Sequence, residues 1–149
     1  MAYKQPVSVL VLIHTVDLQV LLLERADKKS FWQSVTGSLE AGETPYDAAI
    51  REVAEETGLD ATQYGFSDWQ TTNVYEIYPH WRSRYAPGVT QNKEHVFGLE
   101  LPARLPVQLA ANEHVRYEWV DWRAAAIKVF SWTNVLALRE LGKRHQLIL

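Results

Sequence analysis

At 149 residues with 47% apolar side chains, the chain has enough sequence for one domain with a real core, and its composition excludes a disordered or fibrous class. Its 15 Lys and Arg against 18 Asp and Glu give a net charge of −3 without a basic stripe, which excludes the electrostatic footprint of a nucleic-acid binder. No cysteine is present, so disulfides and thiol chemistry are excluded, and a reducing, cytoplasmic setting is expected. The N-terminal apolar run is too short to cross a membrane and has no cleavage pattern, so no membrane partner is expected. Pro6 to His14 (PVSVLVLIH) is β-branched and apolar, which predicts a buried strand. Val16 to Gln19 should turn, and Val20 to Arg25 (VLLLER) should return as an antiparallel strand. Lys4 and Arg25 bracket that unit; taken singly, each reads as a surface charge. Ala26 to Ser30 is a polar loop, Phe31 and Trp32 are packing residues, and Gln33 to Thr36 is a short strand delivering Gly37.

Residues 37 to 59, GSLEAGETPYDAAIREVAEETGL, are the most informative run. Thr44 is placed to N-cap a helix, with Pro45 at its first position, Asp47 completing a capping box and Gly58 ending it. Helical spacing puts Ala49, Ile50, Val53, Ala54 and Thr57 on an apolar arc, with Ala48, Glu52, Glu55 and Glu56 opposite. Like charges at i,i+4 near a helix C-terminus are destabilising, and Arg51 can relieve Glu55 without neutralising all three carboxylates. A hard divalent cation such as Mg2+ or Mn2+ could, although a bare acidic face is more often simply solvated. The run carries a net charge of −5, leaving +2 for the rest of the chain, so the acidity is local.

Downstream, Ala61 to Ser67 is a connection and Asp68 to Tyr78 (DWQTTNVYEIY) a strand of alternating character. Pro79 to Asn92 (PHWRSRYAPGVTQN) reads as a long loop whose aromatic and guanidinium groups suit a ring and a phosphate. His95 to Leu101 should be a strand, Pro102 and Pro106 a turn, Val107 to Ala110 a short edge segment, and Arg116 to Asp121 a strand. Trp122 to Val129 should be a short helix. Ser131 is placed to cap a last helix from Trp132 to about Arg144, packed on the sheet through Val135, Leu136, Leu138 and Leu141. A helix N-terminus is also a site for anions or polar ligands, so a second role for Ser131 is open.

The pattern G-x5-E-x7-R-E-U-x-E-E-x-G-U, with U a bulky aliphatic, is the Nudix box, and residues 37–59 match it at every defined position. On that resemblance the chain is identified as a Nudix hydrolase with an α/β/α sandwich fold, in which a mixed sheet lies between the box helix and the C-terminal helix. The resemblance implies metal-assisted phosphoanhydride hydrolysis of a small-molecule triphosphate or related compound. Mg2+, with Mn2+ as a substitute, would neutralise the polyphosphate, activate water and hold the leaving pyrophosphate. It makes Glu52, Glu55 and Glu56 the implied metal ligands, Glu43 a peripheral shell acid and Arg51 the residue that orients a glutamate. Glu113, with five residues between it and Trp119-Val120, resembles the family's loop glutamate, a metal ligand or general base; Glu55 is the other candidate base.

Many relatives carry Pro-x-Gly-Gly before the box, where this chain has Ser34, Val35, Thr36 and Gly37. Together FWQSVTGS, RYAPGVT and SWTN resemble the dihydroneopterin triphosphate pyrophosphatases of bacterial folate synthesis. By position, that resemblance puts Lys4, Arg25, Thr36, the strand Tyr75, Glu76, Ile77 and Tyr78, and Ser131 around the substrate. Rival readings are diadenosine polyphosphate hydrolysis, for which Tyr75 sits at a fitting distance past the box, general (d)NTP hydrolysis, and a non-catalytic nucleotide sensor. The last usually loses box glutamates, which this chain keeps. A monomer or weak homodimer is expected.

Overall fold

The computed structural model describes residues 3–146. In chain order its elements are β1 (Val7–Thr15), β2 (Gln19–Arg25), β3 (Trp32–Gln33), β4 (Val35–Ser38), α1 (Pro45–Thr57), β5 (Gly65–Glu76), β6 (Gln91–Leu101), β7 (His114–Asp121), α2 (Trp122–Lys128) and α3 (Trp132–Gln146). The strands form one mixed sheet in which β1 runs parallel to β6 and every other pairing is antiparallel. β1 also pairs with β2 and β4, β2 pairs with β3 and β7, and β5 lies outside β6.

Both faces of the sheet are covered, which is why β1 and β2 read as unbroken apolar runs rather than alternating ones. Val9, Val11, Ile13, Leu21 and Leu23 join Ala49 and Val53 of α1 in one core. Leu10, Leu12, Val20 and Leu22 join Ala125 of α2 and Ala137, Leu138 and Leu141 of α3 in the other. The expected α/β/α sandwich is therefore present, with α1 on one side of the sheet and α2 and α3 on the other.

Several boundaries differ from the sequence expectation, each for a local reason. The strand expected over 33–36 is two short strands, because the Asn134 side chain takes Ser34 out of the ladder. The Ser34 N–H donates to Asn134 Oδ1 (2.9 Å) and Asn134 Nδ2 donates to Ser34 Oγ (3.0 Å). Residues 107–110 are not a strand; the Gln108 N–H donates to the Thr57 carbonyl (2.9 Å), so this segment closes over the end of α1. The expected loop 79–92 contains a 3-10 turn, Pro79–Arg84, and gives its last residues to β6. β5 starts earlier than expected and ends at Glu76, so Ile77 and Tyr78 lie beyond it.

The largest correction concerns the two faces of α1. Ala48, Ala49, Glu52, Val53, Glu56 and Thr57 are buried, whereas Ala54 and Glu55 are exposed. An apolar–polar pattern assigns every glutamate to solvent; here two of them turn inward beside Ala48. The helix ends are as read: Asp47 N–H donates to Thr44 Oγ1 (3.1 Å), Thr44 N–H reaches Asp47 Oδ2 (3.4 Å), and Gly58 closes the helix at φ 76°.

Candidate active site

A cavity of about 810 Å3 opens between the C-terminal half of α1, the ends of β1 and β4, the 79–90 segment and the start of α3. Arg51, Glu52, Glu55 and Glu113 line it, as do Lys4, Arg25, Thr36, Tyr75, Glu76, Ile77, Tyr78 and Ser131. The residues singled out from the sequence therefore face one space, except Glu43, which does not line it, and Glu56, which lies behind it and is 0% exposed.

Two features bring the acids inward. The first is Gly37: a Cβ built there would lie 2.1 Å from both Cδ and Oε2 of Glu52. The glutamate carboxylate occupies the volume that any other residue would fill, so the glycine is required by close approach. The second is Arg51. Its Nε and Nη2 donate to the two oxygens of Glu43 (2.7 and 2.9 Å), Nη1 donates to Glu52 and to Glu55 (3.2 Å), and Nη2 also donates to the Ser38 carbonyl (3.0 Å). One guanidinium thus ties the box loop, α1 and β4 together. These hydrogen bonds hold the Glu43 carboxyl below the usual carboxylate range and raise Arg51.

Glu56 has no such relief. Neither of its oxygens has a hydrogen-bond partner among the described residues. Burial, with Glu52 and Glu113 nearby, pushes its pKa well above the ordinary value, and burial likewise raises Glu52. Ligand atoms of Glu56, Glu113 and His114 lie within 4.8 Å of one another. An orphaned buried carboxylate beside two further donors is expensive unless a cation completes it, so the oxygen-rich donor set fits a hard divalent metal.

His114 was not anticipated from the sequence, where it is one more residue of the β7 entry. It is 3% exposed, and burial followed by the charge of Arg25 lowers its pKa to about 4, so the ring is neutral at pH 7. Arg25 Nη1 donates to Gln33 Oε1 (3.3 Å), which turns the Gln33 amide nitrogen toward His114 Nε2 (3.1 Å). The ring proton is then on Nδ1, the atom 3.7 Å from Glu56 Oε1. His114 thus turns an N–H toward Glu56, and a protonated nitrogen offers no lone pair to a metal.

At the mouth, Arg25 makes a two-point ion pair with Asp27 (2.7 Å each) and lies 4.4 Å over the Trp81 ring. Arg84 also donates to Asp27 (3.0 Å), and the Lys4 N–H donates to the Arg84 carbonyl (2.9 Å). Arg25 foremost, then Arg84, hold the Asp27 carboxyl far below its usual value. Tyr78, Trp81 and Phe130 form an aromatic wall with centroids 5.5 to 6.0 Å apart. Ser131 does cap α3, accepting from the Asn134 N–H (3.2 Å), while also lining the cavity. Trp81 and Arg84, of the loop whose aromatic and guanidinium groups were expected to meet a ring and a phosphate, do line the cavity; Phe130 and Glu94 also line it and were passed over, because each fell between the elements expected from the sequence.

Residues 4–141 match the model of the NUDIX domain family. The chain is 49% identical over 141 residues to dihydroneopterin triphosphate diphosphatase of Escherichia coli strain K12, covering 93% of each. It is 41% identical over 144 residues to the protein of the same description from Haemophilus influenzae, covering 94% of this chain and 89% of that one. The structure of the E. coli dihydroneopterin triphosphate pyrophosphohydrolase superposes with a TM-score of 0.88 at 48% identity, covering 94% of this chain and 97% of that chain.

Proposed function

The chain belongs to the Nudix family, and from that premise we propose that it is a Mg2+-dependent pyrophosphohydrolase converting dihydroneopterin triphosphate to dihydroneopterin monophosphate and pyrophosphate, a step of folate biosynthesis. The observation that carries the chemistry is the buried, unpartnered Glu56 carboxylate, set among Glu52, Glu113 and His114 beside a cavity large enough for a triphosphate. The choice of substrate is supported by relatives matched over nearly their whole length.

In this reading Glu52, Glu55, Glu56 and Glu113 hold Mg2+, with Mn2+ as a substitute. Bound there, the cation would neutralise polyphosphate charge, activate water and stabilise the leaving pyrophosphate. Arg51 fixes the Glu52 and Glu43 carboxylates through the contacts described above, and His114 faces Glu56 at 3.7 Å without a hydrogen bond to it. Of the two candidate bases, Glu113 is favoured. Glu55 is engaged by Arg51 at 3.2 Å, whereas Glu113 stands exposed on the cavity wall without an ion pair among the described residues, where a carboxylate oxygen not held by the cation can take a proton from attacking water. Lys4 and Arg25, with Arg84, supply positive charge for the phosphates not held by the cation. Thr36, Ser131 and the segment from Tyr75 through Glu76 and Ile77 to Tyr78 surround the rest of the substrate.

No described helix is long and apolar enough to cross a membrane. We propose a cytoplasmic enzyme that is a monomer or weak dimer with a small-molecule triphosphate as its partner. The deciding experiment offers the purified protein dihydroneopterin triphosphate, the four dNTPs and diadenosine tetraphosphate in Mg2+, with products identified by chromatography. The expected result is pyrophosphate release from the pterin substrate with kcat/KM at least about tenfold above every competitor, since two unpaired polar groups against a wrong ring cost that much or more. Equal or better hydrolysis of any competitor overturns the substrate.

A further inference from the structure

Glu94 lies in β6, and the hydrolytic machinery does not use it. It is 3% exposed, it lines the cavity, and its Oε1 has no hydrogen-bond partner among the described residues. Its position in the sheet is fixed by register: Glu94 pairs with Ser8 of β1, and Ser8 pairs on its other side with Ser38 of β4. Two strand spacings therefore separate Glu94 from the strand that carries Gly37, roughly 10 Å between backbones. Glu94 shares the sheet face of Ser8 and Leu10, beneath the start of α3, whereas Gly37 faces α1. The acidic cluster and Glu94 thus serve different parts of one cavity.

The surroundings of Glu94 select the kind of group it can meet. No Lys, Arg or His among the described residues forms an ion pair with it, and no second acid joins it in a metal-like cluster. A lone carboxyl is a poor divalent-metal site, because such ions need several oxygen ligands. Burial raises its pKa to about 7, so the carboxylate is accessible near neutral pH once donors are supplied. Asn92, two residues earlier on the same face, donates to Ser8 Oγ (2.7 Å) and Tyr75 Oη (3.1 Å) and leaves its own Oδ1 unpartnered. The Thr133 hydroxyl faces Glu94 and favours its charged form, while Glu94 Oε1 and Asn92 Oδ1 stay unpartnered, so this end of the site offers open acceptors, and the walls nearer the mouth are aromatic. A flat ring carrying N–H groups complements it.

We infer that Glu94 reads the ring of the substrate, its carboxylate accepting two hydrogen bonds from a ring N–H and the adjacent exocyclic amino group of a 2-amino-4-oxopyrimidine edge. The pairing is two-point and charge-assisted, so it fixes orientation as well as identity. It rests on the reading that the substrate is a pterin triphosphate, since a pterin presents that donor pair. Guanine presents the same pair, whereas adenine and cytosine present an amino group beside an acceptor. Among the dNTPs, dGTP is therefore the best minor substrate.

The test uses neopterin, which lacks phosphates, and its 2-oxo analogue, which lacks the amino group, as fluorescent or calorimetric probes of the full-length protein. Wild-type protein should bind neopterin about tenfold or more tighter than the 2-oxo analogue, and Glu94→Gln should abolish that difference by placing an amide donor against a donor. In turnover, Glu94→Gln should raise KM for dihydroneopterin triphosphate and dGTP about ten- to a hundredfold, leave kcat within about threefold, and leave dATP and dCTP unchanged. Equal wild-type affinity for the two probes overturns the inference, whatever the stability of the variant. So does a KM unchanged by Glu94→Gln while the pterin substrate is turned over normally. If the pterin triphosphate is not a substrate but the neopterin and dGTP preferences are lost in Glu94→Gln, the ring site stands and the substrate reading falls.

Discussion

Among the described residues, Glu24, Glu56 and Glu94 have carboxyl groups almost completely hidden from water, and their surroundings differ. Glu24 accepts from Arg116 Nε (2.8 Å) and from the Ser30 N–H (3.0 Å), and the hydrogen bond from Arg116 lowers its pKa. It is a satisfied structural group. Glu56 keeps both oxygens unpartnered and Glu94 keeps one, Oε1, and burial raises both. Glu56 sits among further metal-type donors and Glu94 sits alone among amides and hydroxyls. Burial alone does not mark a functional acid; burial without a partner does, and the company it keeps indicates the missing ligand. Several acids around one space call for a cation, and one acid among acceptors calls for N–H donors.

The comparison breaks most readily at the cation end. Glu52→Gln and Glu56→Gln should each lower kcat at least about a hundredfold, because each removes a charged metal donor. In metal-free protein the same changes should preserve folding and raise the thermal midpoint, since a buried charge is removed. Wild-type turnover of either variant in saturating Mg2+ sinks the assignment.

Next in size is Glu113→Gln. If Glu113 is the base, kcat should fall about a hundredfold with a smaller change in KM, and the acidic limb of the pH–rate profile should be altered. An unchanged kcat with a superimposable profile would return Glu113 to an ordinary surface charge.

Gly37→Ala tests the close approach rather than the chemistry. The new methyl group has to displace the Glu52 carboxylate, and a misplacement on the order of 1 Å costs roughly ten- to a hundredfold in kcat. Kinetics indistinguishable from wild type would mean that the Glu52 position is not critical.

A last effect, read in stability rather than in rate, sharpens the comparison at the ring end. The folded-state pKa of Glu94 is raised from 4.5 to about 7. A carboxyl shifted upward favours folding while protonated, so this contribution is intact below pH 4.5, is lost as pH rises through 7, and is gone above it. Glu94→Gln does not titrate, so its stability relative to wild type should rise between pH 5 and pH 8.5, by roughly 3 kcal/mol at most. Urea denaturation of ligand-free protein at the two pH values measures it, and a difference independent of pH contradicts the burial of an ionisable Glu94.

The sequence by itself determined the box, the capped ends of α1 and the twin apolar runs of β1 and β2. These depend on local spacing and on backbone demands such as the left-handed turn at Gly58. It also named the acids, because glutamates at i,i+4 beside a required glycine form a pattern readable within one helix. It misjudged which face of α1 meets the interior, since polarity alone sends Glu52 and Glu56 outward, whereas packing against Gly37 and His114 draws them in. The tertiary structure alone decided the rest. His114 meets Glu56 across 58 positions of chain, Asn134 splits the strand at Ser34 across 100, and Glu94 reaches the cavity only because β6 pairs with β1. Nothing local distinguishes a histidine entering a strand, or a glutamate within one, from its solvated counterparts; the distinction is made by which strands become neighbours and which polar atoms are then left without water.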